Sequence, residues 1–209
     1  MGMAGSAFAG ANDYEFQLRD KEVKKGEAGM AVNLVHKPSG RVIPDAVIDM
    51  RYASTNNFVG EAMYPAARCK LRRAVVTRLA KAATLLRAQD RRLLIWDCYR
   101  PTSGQQILWD KAPDKSFVAN PKYGSRHSRG AAIDLAICDK DGNPVPLPTE
   151  FDDFTKRAYR VNALAGKQGV EAKKLAKAMA AAGFVGIGNE WWHYDAPDAS
   201  RYKLSDEPL

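Results

Sequence analysis

The stretch Ser125-Arg126-His127-Ser128-Arg129-Gly130-Ala131-Ala132-Ile133-Asp134-Leu135-Ala136-Ile137-Cys138 joins a polar loop to an apolar run. The run from Ala131 to Cys138 reads as a buried strand, because it is short and aliphatic and is followed by Asp139-Lys140-Asp141-Gly142, whose Asp-Gly pair signals a tight turn. One carboxylate, Asp134, interrupts it. Fully extended, the chain from His127 to Asp134 spans about 23 Å at the rise of a strand, whereas two ligands of one metal ion lie only a few ångströms apart. For both to serve one ion the chain must fold back between them. Ser128-Arg129-Gly130 is the natural place, since glycine takes backbone conformations closed to other residues.

A second dense motif, Glu190-Trp191-Trp192-His193-Tyr194-Asp195, supplies another imidazole. His127, Asp134 and His193 together make a common catalytic zinc set, three protein ligands with a fourth position for water. A carboxylate beside such an ion, outside its ligand shell, takes a proton from the attacking water and returns it to the leaving amine, and Glu190 is the candidate for that base. Residues i and i+3 of a regular strand face opposite sides, so Glu190 and His193 share a site only across a bulge, a strand end or a helical turn. Trp191 and Trp192 read as packing that walls the site. The third histidine, His36, reads as a core or surface residue, and Arg126 and Arg129 as surface or supporting residues without an assigned role.

Outward from these motifs, Ala46 to Ala53 alternates like a half-buried strand, and Pro65 to Gln89 carries apolar residues at helical spacing. Arg92 to Cys98 reads as a buried strand stopped by Tyr99-Arg100-Pro101, Ser103 to Lys111 as a short helix, and Val170 to Ala182 as a strong helix ended by Gly183. Phe184 to Ile187 and Glu190 to Asp195 look extended. Strands and helices mix without a regular βαβ repeat, which predicts an α+β domain with an antiparallel or mixed central sheet flanked by helices.

The 209 residues, 45% hydrophobic and 27% charged, form one domain able to bury roughly 70% of its unfolded surface, so a metal would serve chemistry rather than folding. No apolar run approaches the roughly 20 residues of a membrane helix. The formal charge of +8 comes from basic residues spread over solvated faces, without the aromatic interleaving of a nucleic-acid platform, so no nucleic-acid partner is expected. Cys69, Cys98 and Cys138 form no C-x-x-C pair and read as small buried hydrophobes, with one disulfide and one spare thiol as the alternative in an oxidising compartment. Met1 to Ala11 resembles the small-residue end of an export signal, which makes 1–20 an N-terminal extension, 21–209 the domain, and the periplasm favoured over the cytoplasm.

SRHSRGAAID with EWWHYD resembles the zinc signature of the VanX-type D-alanyl-D-alanine dipeptidases, within the zinc D-Ala-D-Ala peptidases that share a fold with hedgehog domains. RYASTNNFVG at 51–60, WDCYRP at 96–101 and EFDDF at 150–154 also resemble segments of that family, in its order, so the likeness covers Val32 to Asp195. The family often has glycine where Cys98 stands. The resemblance implies one zinc per chain held by His127, Asp134 and His193, with Glu190 as base and Arg100 stabilising the tetrahedral intermediate. It further implies Ser125 at the substrate's carboxylate end and Asp152 near its ammonium, although Asp153 is equally acidic. The implied activity is hydrolysis of free D-alanyl-D-alanine by a water activated on zinc, in recycling of wall dipeptide or in resistance to glycopeptide antibiotics. Two alternatives stay open: a D,D-carboxypeptidase or endopeptidase on peptidoglycan stem peptides, and a zinc-binding module without turnover. The expected partner is a small dipeptide; the oligomeric state is not legible.

Overall fold

The computed structural model describes residues 16–19, 31–36 and 42–209; the Met1 to Ala11 export-signal reading lies outside the described residues. Two strands, β1 (Phe16–Arg19) and β2 (Ala31–His36), precede β3 (Val42–Ile48) and the helix α1 (Arg73–Arg87). Then come β4 (Arg91–Asp97), α2 (Thr102–Lys111), β5 (Ala132–Asp139), the one-turn α3 (Arg160–Ala163), α4 (Val170–Ala181), β6 (Val185–Gly186) and β7 (His193–Asp195).

The strands form one seven-stranded sheet in the order β1-β2-β3-β4-β5-β7-β6. Only β3 and β4 run parallel, through Val47 opposite Leu94 and Ile48 opposite Ile95, and the crossover between them is α1. A parallel neighbour requires such a crossover, whereas the antiparallel pairs need only turns and loops. The sheet is therefore mixed, in the α+β domain the patterning predicts.

Packing follows the apolar periodicities. Val75, Val76, Leu79, Ala82, Ala83 and Leu86 of α1 are buried, and α1 packs on α4 and on β4. β5 lies between β4 and β7 and is buried along almost its whole length, which explains why its sequence is nearly continuous in apolar residues. Its alternation puts Ile133, Leu135 and Ile137 on one face and Ala132, Asp134 and Ala136 on the other.

Several boundaries move. The strand expected over Ala46 to Ala53 is β3, which ends at Ile48, and Arg51–Ala53 forms a 3-10 turn instead. The helix expected from Pro65 starts only at Arg73, because Tyr99 N–H donates to the Lys70 carbonyl (3.0 Å) and Arg72 N–H to the Gly130 carbonyl (2.9 Å), which engages this stretch with neighbouring loops. Apolar spacing alone cannot distinguish such a buried, extended lead-in from a first helical turn.

For the cysteines the structure has the alternative of one disulfide and one spare thiol rather than three small buried hydrophobes. Cys69 and Cys98 form a disulfide across 29 residues, tying the entry of α1 to the exit of β4, while Cys138 is a buried free thiol. In the chain-entropy account a loop of that size stabilises the fold by about 3–4 kcal/mol. Cys69→Ser is expected to lower the free energy of unfolding by about 2–4 kcal/mol in urea titrations, and coincident curves for variant and parent would show that the bridge constrains nothing.

Candidate active site

The site begins in the register of two strands. β5 and β7 pair antiparallel with Asp134 directly opposite His193, so imidazole and carboxylate meet across the ladder with Nδ1 of His193 3.0 Å from Oδ1 of Asp134. His127 arrives from the loop before β5. Residues His127–Arg129 form one 3-10 turn, which Gly130 closes in the left-handed conformation at φ +64°, and the chain reverses into the strand. Nε2 of His127 ends 3.1 Å from Nδ1 of His193 and 3.2 Å from Oδ2 of Asp134. Donor atoms of all three lie within 4.8 Å of one another, and all three residues are buried.

Each imidazole is held from behind. His127 donates its Nδ1 proton to the Cys98 carbonyl at 2.6 Å, and His193 donates from Nε2 to Oδ1 of Asp195 at 2.9 Å. These bonds place the protons away from the cluster and turn a lone pair of each ring toward its centre, as metal-binding histidines require. Two imidazoles and one carboxylate, convergent and oriented by outer partners, fit a divalent metal ion.

Glu190 lies in the turn just before β7, so a strand end brings it to the same side as His193, with Oε2 3.7 Å from Nδ1. Burial pushes its carboxyl up to about 7, and the charge on His193 opposes that shift. Burial acts to lower His193, but hydrogen bonds to Asp134 and Asp195 overcome it and carry the imidazole to about 10. Asp134 is desolvated too, yet the two histidines hold its carboxyl far below the usual carboxylate range.

Arg100 follows β4 and is buried. Its Nη2 and Nε bind Oδ2 of Asp97 at 2.7 and 3.1 Å, its Nη1 donates to Gln105 at 2.8 Å, and Nη2 stands 3.8 Å from Oδ2 of Asp134. A register irregularity in β4 between Ile95 and Asp97 sets Asp97 opposite Asp134. Such a bulge re-aims side chains, and here it directs a second carboxylate into the site to hold the guanidinium.

A cavity of about 240 Å³ opens over these groups, with Ser125, Asp152 and Trp192 in its wall. The Ser125 hydroxyl oxygen accepts from the His127 N–H at 3.1 Å. Asp152 takes φ +57° and accepts a hydrogen bond from the Tyr52 hydroxyl at 3.0 Å. Burial, reinforced by the Asp134 charge, raises its carboxyl well above the ordinary range. Asp153 instead accepts from the Thr155 N–H, outside the cavity wall. Trp191 packs on Trp96 and donates to Thr149.

The structure thus brings together all seven residues singled out in the sequence: His127, Asp134, His193, Glu190, Arg100, Ser125 and Asp152. It adds Asp97, Tyr52 and Asp195, which sequence reasoning missed. Asp195 was within reach, because residues i and i+2 of a strand share a face; Tyr52 and Asp97 depend on contacts across the fold and on a bulge.

The family model described as D-ala-D-ala dipeptidase matches residues 33–207. The D-alanyl-D-alanine dipeptidase of Escherichia coli is 37% identical over 164 residues, covering 78% of this chain and 85% of that protein. Those of Enterococcus faecalis and Enterococcus faecium are 30% and 29% identical over 182 residues, each alignment covering 77% of this chain and 86% of the relative. With the matched span containing both halves of the His127, Asp134 and His193 cluster, the chain belongs to the D-Ala-D-Ala dipeptidase family of peptidases.

Proposed function

We propose that this protein hydrolyses free D-alanyl-D-alanine to D-alanine with one zinc ion held by His127, Asp134 and His193. The observation that carries this reading is the buried convergence of those three donors, with the Glu190 carboxylate 3.7 Å from Nδ1 of His193. When bound, zinc supplies a Lewis acid for the peptide carbonyl and for the attacking water.

The chain's own groups do the rest. Glu190, with a carboxyl near 7, is matched to accept a proton from water and to return it to the departing amine at neutral pH. Arg100 presents a fixed positive charge where the carbonyl oxygen becomes negative, and the Asp97 and Gln105 contacts spare it reorganisation during the reaction. Ser125 uses its oxygen as an acceptor for His127 N–H, which leaves its hydroxyl proton for a substrate carboxylate. Asp152 suits the substrate's ammonium, since a cation beside it offsets the desolvation that raises its carboxyl. A carboxylate buried at that end of the cavity favours a free dipeptide over the end of a longer chain. The Cys69–Cys98 disulfide supports a periplasmic location, because such bonds persist in oxidising compartments.

Glu190→Gln is expected to lower kcat by at least about 100-fold while zinc content stays at one per chain, and retention of full kcat would remove Glu190 from the role of base. Asp152→Asn is expected to raise KM for the dipeptide by at least about tenfold and to narrow the preference for the dipeptide over a pentapeptide ending in D-Ala-D-Ala. A parent enzyme that prefers the pentapeptide would mark a carboxypeptidase instead. Proton and metal compete for the same lone pair of His193, whose raised value keeps it protonated below about 10. Each unit of acidification between about pH 8 and pH 6 is therefore expected to weaken zinc binding about tenfold, measured by chelator competition; an affinity independent of pH would exclude that competition.

A further inference from the structure

The sequence reading leaves Arg126 without a role, and the structure puts it in the wall of the cavity. A dipeptide free at both ends carries an ammonium and a carboxylate, and each needs a counter-charge when it leaves water. Arginine supplies the wall's only permanent cations among the described residues, at Arg100 and Arg126. Arg100 is committed: both its edges hold Asp97 and Gln105, and its flat face covers the Tyr52 ring at 5.2 Å. It also stands close to Asp134, beside the metal ligands, which suits the reacting carbonyl rather than a group one residue further along.

Arg126 differs in each respect. Its Nε lies 3.3 Å from Oδ2 of Asp195, and the side chain is 58% exposed. Its two Nη nitrogens make no hydrogen bond or ion pair among the described residues. The backbone beneath it is fixed, because its carbonyl accepts from the N–H groups of both Arg129 and Ala131 at 3.1 Å. Asp195 receives His193 on its other oxygen and therefore holds Arg126 in a set relation to the ligand cluster. One imidazole and one carboxylate separate the guanidinium from the centre of that cluster. A dipeptide's terminal carboxylate lies about 3.8 Å beyond the scissile carbonyl, so its counter-charge belongs in the cavity wall near the cluster but outside it, where Arg126 stands. Ser125, adjacent in sequence and also in the wall, offers a hydroxyl to the same end.

We propose that Arg126 is a specificity-determining residue whose free Nη edge receives the substrate's C-terminal carboxylate, with Asp195 as the positioning residue that aims it. The assignment rests on the dipeptidase reading and extends it: the enzyme recognises a free carboxylate, not merely a D,D-peptide bond. A planar guanidinium with two parallel donors matches a carboxylate, and a lysine does so only as a point charge.

The test compares zinc-loaded parent, Arg126→Ala and Arg126→Lys on D-alanyl-D-alanine and on its C-terminal amide. The parent should prefer the free acid. Arg126→Ala should lose about 10- to 100-fold in kcat/KM on the acid and less than about threefold on the amide, with the lysine variant in between on the acid. Calorimetric binding of the intact dipeptide to the Glu190→Gln protein, with and without Arg126→Ala, should show the same loss without turnover. Equal losses on acid and amide, or no loss on either, overturn the role of Arg126 while the dipeptidase reading stands. Absence of hydrolysis of either substrate by the parent overturns that reading and this assignment together.

Discussion

The antiparallel register of β5 and β7 is the constraint on which the site depends. It sets Asp134 opposite His193, and the ladder hydrogen bonds hold that spacing to within the tolerance of metal coordination. A slip of one residue would turn both side chains to the opposite face, since alternation has a period of two. The same register puts Asp195 beside His193 on one face and leaves Glu190 in the turn just before the strand. One short strand, His193–Asp195, therefore places two of the groups around the cluster, and the turn leading into it places Glu190.

The electrostatics of the site are those of a place built for cations. Asp97, Asp134, Asp152, Glu190 and Asp195 gather around it, each largely removed from water, against the guanidinium groups of Arg100 and Arg126 and two imidazoles. Buried carboxylates are costly unless paired. Three answers to that cost coexist here: Asp134 is held ionised by the histidines, Asp97 is locked to Arg100, and Asp152 and Glu190 are pushed toward their neutral forms. Those last two are the carboxylates whose proposed tasks are to meet an ammonium and to carry a proton. Burial raises Asp97 even with Arg100 beside it, whereas two imidazoles together hold Asp134 low, so the acid strengths diverge with the balance between desolvation and the charges around each carboxylate.

The disulfide bears on the same machinery. Cys98 is two residues before Arg100, and its carbonyl is the acceptor that orients His127. Linking Cys98 to Cys69 anchors this short segment to the entry of α1, so the backbone that orients His127 and the backbone that carries Arg100 share one covalent anchor.

Much of this was legible in the chain alone. Local patterns determined the existence and kind of β4, α2, β5 and α4, because their apolar periods and their Gly and Pro boundaries are properties of consecutive residues. The two histidine motifs, each with its carboxylate at short range, pointed to the residues that the structure gathers at the cluster, and Gly130 marked the reversal that lets His127 and Asp134 meet. Other features required the tertiary structure. The late start of α1, the bulge that brings Asp97 opposite Asp134, the Cys69–Cys98 pairing, Tyr52 against Asp152 and Arg126 against Asp195 all involve chain neighbours that are remote or irregularly spaced. Sequence spacing encodes which face of an element a side chain occupies, but which buried charge meets which partner is decided by packing among elements, where desolvation makes each such pairing matter.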